Sequence, residues 1–407
     1  MKIESWGKSF KKNVNIIDSF NFNLSTSAIP IGNQNSLSDC FIPISYNVLD
    51  LNTQIIDGYV NPRLTVSEYI LSERKIFFGT PGNSNVTIAG AIASNTYGKE
   101  AYLGGNFIKN VEELLIVNSN GCTIKASREE NTDLFYSTFS GYGLTGYISG
   151  IKFKENLIHY SSSFKTFTTK EKGYEALSKF LSLKPRNFCQ LILDLTKKEL
   201  NFIFKESFAD DISPSSTNKI LFPIPNLSFV GKNKLGSLNA LHTVNRLRER
   251  NRNQNVEDLL FPINRYTDPR NFTKNREIIE IQFSIPLNAS EMIFQLLDFV
   301  KKSIKPISSS IKFIPYQNET PYLTFTQEGF VVNFTFDKSF FNETLRIQLL
   351  NTLVQYGCKI NLAKDTILDE KYFNLMYPES NVWKKVVAKY DLNNYFQSNL
   401  SKRLNLK

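Results

Sequence analysis

Histidine is nearly missing from this chain: His159 and His242 are the two in 407 residues. A metal centre built on several imidazoles is thereby excluded, and no metal site is expected. Cysteine is scarce too. Cys40, Cys122, Cys189 and Cys358 lie far apart with no C-x-x-C pair, which excludes a zinc ribbon and a disulfide framework. A reducing, cytoplasmic compartment is the expectation. No run of about 18 apolar residues occurs, so no segment reads as a membrane-spanning helix. Residues 1–12 carry charges without an apolar stretch, so no secretory leader is expected. The chain also lacks the G-x-G-x-x-G of a dinucleotide Rossmann unit, a P-loop GKS/T and any internal repeat.

What it has in quantity is aromatic and apolar surface. The apolar fraction is 41%, with 33 Phe and 18 Tyr, enough for a large core and too much for wholesale disorder. The length suggests roughly two or three domains. Basic residues outnumber acidic ones by 48 to 38, a net charge of +10. That balance suits a phosphate-bearing partner: nucleic acid, anionic lipid or a phosphorylated ligand. Basic charge with many aromatics could serve a non-catalytic nucleic-acid-binding protein. The basic residues are scattered, however, with no RNP-like or OB-like pattern, and no nucleic acid partner is expected.

Patterning divides the chain. Residues 44–51, 75–78, 111–118 and 147–153 read as strands, with helices over 65–72 and 131–139. Mixed elements at this spacing indicate an α/β or α+β domain. From about 169 the texture changes. Helices are expected over 171–183, 291–303 and 342–356, and strands over 188–194, 200–204, 277–285, 322–325 and 330–336. This is a second domain on an antiparallel sheet with covering helices. Residues 209–226 form a polar connection, and 369–376 and 380–390 are further helices.

Three stretches could carry chemistry. Residues 79–105, GTPGNSNVTIAGAIASNTYGKEAYLGG, combine Gly79, Gly82, Gly90 and Gly98 with other small residues. Backbone can come close to a flat or phosphorylated ligand where Cβ is missing, and successive N–H groups in such turns can cradle a pyrophosphate. A plain glycine-rich loop has the same composition. Residues 31–40, IGNQNSLSDC, form a loop dense in donors. Residues 135–146, FYSTFSGYGLTG, suit a helix end followed by a turn.

In that order, a GNxNSxxD-like loop, a PG-x4-T-xx-GAIA-x-N-xx-GK run and LF-x5-GxGLTG, the three resemble the FAD-binding domain of the vanillyl-alcohol oxidase and p-cresol methylhydroxylase superfamily. Within it the chain is similar to the flavoprotein oxidase subunits of decaprenylphosphoryl-ribose 2-epimerases. NLAKD at 361–365, MYP at 376–378, Trp383, the final SKRLNL and IQFSIP at 281–286 extend the likeness over nearly the whole chain.

The resemblance implies an α+β protein. Residues 1–165 and 359–407 would form a two-part FAD domain of the p-cresol methylhydroxylase type. A substrate domain, 166–358, would be inserted between them on an antiparallel sheet. Gly32, Asn33, Gln34, Asn35, Ser36 and Asp39 would bind the FAD pyrophosphate. Gly82, Thr87, Ile88, Ala89, Gly90, Ser94, Asn95, Thr96, Tyr97 and Gly98 would line the cofactor further, with Ile148 at the adenine side and Asn361 beside it. Lys364 is the first candidate catalytic residue, a cation able to stabilise a developing alkoxide or, desolvated, to act as a base. Gln282 would orient a sugar hydroxyl, and Lys312 and Lys99 are further substrate-side candidates.

Departures from the family narrow the expectations. Tyr97, a catalytic candidate beside Lys364 and Gln282 because it can donate a hydrogen bond, stands where the family has the histidine of I-H-G-K, so FAD is expected without a covalent link. Val331 and Asn333 replace an active-site asparagine and cysteine, and the family's lid tyrosine has no counterpart around Phe272 and Thr273. Residues 245–255, with Arg246, Arg248, Arg250 and Arg252 at alternate positions, fall where the family has a mobile loop. A basic lid there would meet a phosphate-bearing substrate or an anionic membrane at its inner face. The implied activity is oxidation of a secondary sugar hydroxyl, on a free or lipid-phosphate-linked sugar, with a short-chain reductase as partner for epimerisation. An alditol or aldonolactone oxidase using oxygen is the alternative within the same fold.

Overall fold

The computed structural model describes residues 1–18, 26–51, 56–155, 157–159, 163–182, 188–195, 199–210, 252–265, 277–304, 306 and 308–407. It is a mixed helix and sheet protein with one large antiparallel sheet. The Arg246–Arg250 stretch and the Phe272–Thr273 position lie outside the described residues.

The N-terminal part opens on a hairpin, β1 (Lys2–Glu4) with β2 (Lys11–Asn13). A small parallel sheet follows from β3 (Asn15–Ile17), β4 (Ala28–Pro30) and β5 (Asn47–Leu49), with β5 in the middle. Helix α1 (Val66–Glu73) starts on a capping box between Thr65 and Glu68 and ends where Arg74 turns left-handed. After β6 (Lys75–Ile76), helix α2 (Ile88–Ala93) is capped by Thr87, whose hydroxyl accepts from Gly90 N at 3.1 Å. Next come α3 (Ala101–Gly104), β7 (Val111–Val117), β8 (Thr123–Ser127), α4 (Thr132–Thr138) and β9 (Tyr147–Phe153). Strand β7 sits between β8 and β9 in an antiparallel sheet. Tyr69, Phe77, Phe107 and Phe153 cluster with ring centroids 4.7–6.4 Å apart in the core beneath α1 and α2. Aromatic abundance is thus spent on burial.

The second part is an eight-stranded antiparallel sheet. After the short β10 (Ile158–His159), paired to β6, its strands are β11 (Ser163–Lys172), β12 (Phe188–Asp194), β13 (Asn201–Asp210), β14 (Arg252–Gln254), β15 (Ile278–Pro286), β16 (Ser308–Ile314), β17 (Gly329–Asp337) and β18 (Lys359–Ile360). Their order is β14-β11-β13-β12-β16-β17-β15-β18. Helices α5 (Gly173–Ser182), α7 (Met292–Ser303) and α8 (Glu343–Gln355) share an apolar core with one face of the sheet; α6 (Val256–Leu260) packs with the N-terminal core instead. Period-two alternation puts Leu191, Leu193, Ile281, Phe283, Ile311, Val332 and Phe334 into the shared core.

Two expectations change, and one strand goes unforeseen. The helix expected to begin at Glu171 begins at Gly173, because ten residues of β11 stay paired to β13 through Lys172. The strand expected over 322–325 is a turn and loop. Its threonines serve side-chain bonds: Asn95 Nδ2 donates to Thr324 Oγ1 at 3.0 Å, while Thr326 donates to Asn106. Strand β16 was hidden by its Ser308–Ser310 run, which no alternation of apolar residues marks.

The edge strand β18 returns the chain to the sheet, with Ile360 opposite Phe283. Residues 361–365 follow at once. Helices α9 (Glu370–Met376), α10 (Ser380–Tyr390) and α11 (Asn399–Arg403) then carry the tail back to the N-terminal part. There Trp383, fully buried, donates its indole N–H to Ser137 O at 2.9 Å.

Candidate active site

A cavity of about 680 Å³ opens where these parts meet. Its size lies within the roughly 300–1,000 Å³ range of ligand sites. Two unlike walls enclose it.

The first wall is made of loops. Residues 31–36 and 81–90 face each other, clasped by asparagine amides: Asn33 and Asn35 donate to Asn85 O at 3.0 and 2.7 Å, and Asn83 donates to Asn35 Oδ1 at 2.9 Å. Gly32 packs so closely that a Cβ would come within 2.8 Å of Thr87 Oγ1, whereas a Cβ on Gly82 would meet no protein atom within 4 Å. The wall therefore leaves open space at Gly82 where a ligand can approach the backbone. Gln34 holds φ at +55°, with its side-chain oxygen taken by Glu4 N at 3.2 Å.

The second wall is the face of the sheet opposite α5, α7 and α8. Across three adjacent strands, Gln282 stands opposite Asn333 and Asn333 opposite Ser310. Glu280 and Lys312 lie two residues from Gln282 and Ser310 on the same face, and Gln190 of β12 also lines the cavity, although Ser310 itself pairs with Ile192. The amide of Asn361 donates to Gln282 Oε1 at 2.7 Å and fixes it. Asn361 also accepts from Ala363 N at 3.0 Å, which closes the turn that presents Lys364. Lys364 then forms an ion pair with Glu280. Asn333 Oδ1 is buried and has no protein partner among the described residues, so a donor from a ligand is the group that would satisfy it.

Tyr97 stands where the walls join, edge-on to Phe325 with ring centroids 5.5 Å apart, and Lys312 Nζ lies 4.8 Å from its ring centroid. Burial, then the charge of Glu280, raises the Tyr97 pKa, so the phenol stays protonated. Behind it, burial pushes the Glu100 carboxyl up to about 7, against the pull of two backbone N–H groups and of Lys312 and Lys99.

Seventeen of the expected residues line the cavity: Gly32, Asn33, Gln34, Asn35, Ser36, Gly82, Thr87, Ala89, Gly90, Ser94, Thr96, Tyr97, Ile148, Gln282, Lys312, Asn361 and Lys364. Five do not, and each has another task. Asp39 is 2% exposed and takes Arg403 in a two-point ion pair at 2.8 and 3.1 Å, while Arg403 also pairs with Asp365 at 2.8 Å. This triad, two buried carboxylates on a half-buried guanidinium, bolts the first loop to the Lys364 turn. Ile88 is wholly in the core. Asn95 spends its amide on Thr324 and Ile108 N. Gly98 packs on Glu100, whose carboxylate would sit 2.0 Å from any Cβ there. Lys99 donates to the carbonyls of Leu259 and Leu260, at the end of α6.

Sequence reading missed Glu280, Ser310, Gln190 and Glu100 as site residues. For Glu280 a signal existed: it lies two residues before Gln282 on an alternating strand and so shares its face. Among the described residues no group of His, Cys, Asp and Glu could hold a metal ion, and no helix is long and apolar enough to cross a membrane. Glycine loops beside an open cavity, and a polar sheet face with an unpartnered acceptor, fit a dinucleotide with a polar substrate alongside.

No family model matches the chain. It is a distant relative, 23% identical over 360 residues, covering 80% of this chain and 75% of the other protein, of the decaprenylphosphoryl-β-D-ribose oxidase of Mycolicibacterium smegmatis (strain ATCC 700084 / mc(2)155).

Proposed function

We propose that the chain is a FAD-dependent oxidoreductase that oxidises a secondary hydroxyl of a sugar to a ketone. The observation that carries this is a single cavity walled on one side by glycine-rich loops and on the other by two amines, a carboxylate and a row of amides. The likeness to a named sugar oxidase supports it. In this reading residues 1–165 and 359–407 form a cofactor part of the p-cresol methylhydroxylase type, and 166–358 the substrate part.

When bound, the flavin supplies the hydride acceptor. Residues 32–36, Gly82 and 87–90 would hold the dinucleotide without a covalent link, with Ile148 at its adenine end. Tyr97 keeps its proton and offers a hydrogen bond, not an imidazole, at the cavity junction. Lys364, held by Glu280, would present its amine where an alkoxide would develop. Gln282, anchored through its oxygen by Asn361, and Asn333 would orient the neighbouring hydroxyls.

The favoured substrate is a polyprenyl-phosphate-linked pentose, reached from an anionic membrane at its cytoplasmic face and supported by the net charge of +10. A short-chain reductase acting on the keto-sugar would complete an epimerisation in cell-envelope polysaccharide synthesis.

Absorbance spectra of native and denatured protein test the reading. Flavin bands that leave the protein on denaturation are expected; a colourless protein after reconstitution with FAD defeats it. Anaerobic bleaching by lipid-phosphate pentoses separates it from the alternative, for which free polyols would yield steady peroxide.

A further inference from the structure

The two amines of the cavity are not equivalent. Lys364 is closed in an ion pair with Glu280, whose side chain is only 12% exposed. Lys312, on the same sheet face, has no hydrogen-bond or ion-pair partner among the described residues; its nearest specific contact is the Tyr97 ring. It stands two residues from Ser310 and borders the Gln282–Asn333–Ser310 row where a sugar hydroxyl would be held.

We propose that Lys312, rather than Lys364, accepts the proton of the substrate hydroxyl. The proposal rests on the function proposed above. The alcohol loses two hydrogens: the O–H proton goes to the lone pair of Lys312, and the C–H bond breaks with its electron pair passing to the flavin, the oxidant of that reading. The C=O bond forms from the oxygen electrons, and Lys312 becomes an ammonium. That ammonium forms over the face of Tyr97, whose π-system stabilises it.

The surroundings agree. Burial, reinforced by the charge of Lys364, lowers the Lys312 pKa to about 8, against the opposing pull of Glu100, Cys189 and Glu280. Glu100 faces it from the turn before α3, Glu280 from β15, Lys364 from the turn after β18, Cys189 from β12 and Tyr97 from the turn after α2. Of these, Cys189 is kept a thiol and Tyr97 a phenol by burial, with Cys189 pushed up to about 12. At pH 7 about a tenth of the molecules then carry the neutral amine, a share that grows with pH, and this is the form a proton acceptor requires.

Competitive acetylation of the amines across pH, read by mass spectrometry in protein with and without FAD, tests this directly. Lys312 is expected to titrate near 8. Lys364→Met should raise that midpoint by removing a like charge, and Glu100→Gln should lower it. A midpoint above about 10, the ordinary range of lysine, overturns the proposal. In anaerobic flavin bleaching by a lipid-phosphate pentose, the rate should climb through the same midpoint. Lys312→Met should lose that climb and at least about 100-fold in rate with FAD still bound, and Lys312→Arg should not rescue it, because a guanidinium cannot take up a proton. A variant Lys312→Met that keeps its rate and its pH dependence also overturns the proposal. A protein that binds no flavin ends the functional reading and this step with it. An ordinary lysine titration in a flavin-binding protein ends this step alone.

Discussion

The two walls of the cavity are built on opposite principles. The loop wall, residues 31–36 and 81–90, is local in sequence, small in side chain and held by asparagine amides bonding to backbone and to one another. The sheet wall takes one or two residues from each of four strands and a turn, and it carries the charges. One wall provides shape, the other chemistry. The difference teaches that open backbone can be written in one contiguous run, whereas a cluster of charges and amides has to be assembled from distant segments.

The largest expected effect comes from separating the walls. Arg403→Met leaves Asp39 and Asp365, both buried, without their cation. Loss of such a partner costs about 3–5 kcal/mol, to be read from urea unfolding. A loss below about 1 kcal/mol would show that the triad does not join the two loops.

Next is Glu100, behind the junction. Its carboxyl ordinarily titrates at 4.5 and is raised to about 7 in the folded protein. Between those values the folded protein holds a proton that the unfolded chain has released, so this group makes stability fall as pH rises from 4.5 to about 7. Glu100→Gln should flatten that fall in thermal unfolding measured across the interval. An unchanged slope would assign the fall to other groups.

A smaller effect isolates the sheet wall. Asn333→Val removes a buried acceptor that no protein donor satisfies. Stability should change by less than about 1 kcal/mol, because no protein hydrogen bond is lost, while KM for the sugar rises about tenfold. The smallest isolates the loop wall. Gly82→Ala adds a methyl into open space, so stability should stay within about 0.5 kcal/mol. FAD affinity should nevertheless fall several-fold if the cofactor approaches this backbone; unchanged affinity would place the cofactor elsewhere along the wall.

Legibility followed the same division. Tyr147–Phe153 and Phe188–Asp194 were readable as strands to the residue, because each is a compact apolar or alternating run. The glycine loops were readable because glycine itself signals backbone approach. Lys99 and Asp39 were misplaced because a motif position says which residue sits near a site, not where its side chain turns. Lys99 turns to the end of α6 and Asp39 to Arg403. Ser310 was invisible since a serine run announces neither strand nor face.

The residues alone determined a mixed helix and sheet fold with glycine-rich loops, because composition and short-range pattern suffice for those properties. Folding alone decided which lysine is closed in an ion pair and which is left beside the Tyr97 ring. The Lys364–Glu280 pair spans 84 positions and the Asp39–Arg403 pair 364, and nothing local in the chain specifies such meetings. Charge on an amine depends on burial and neighbours, and both exist only after the sheet has brought them together.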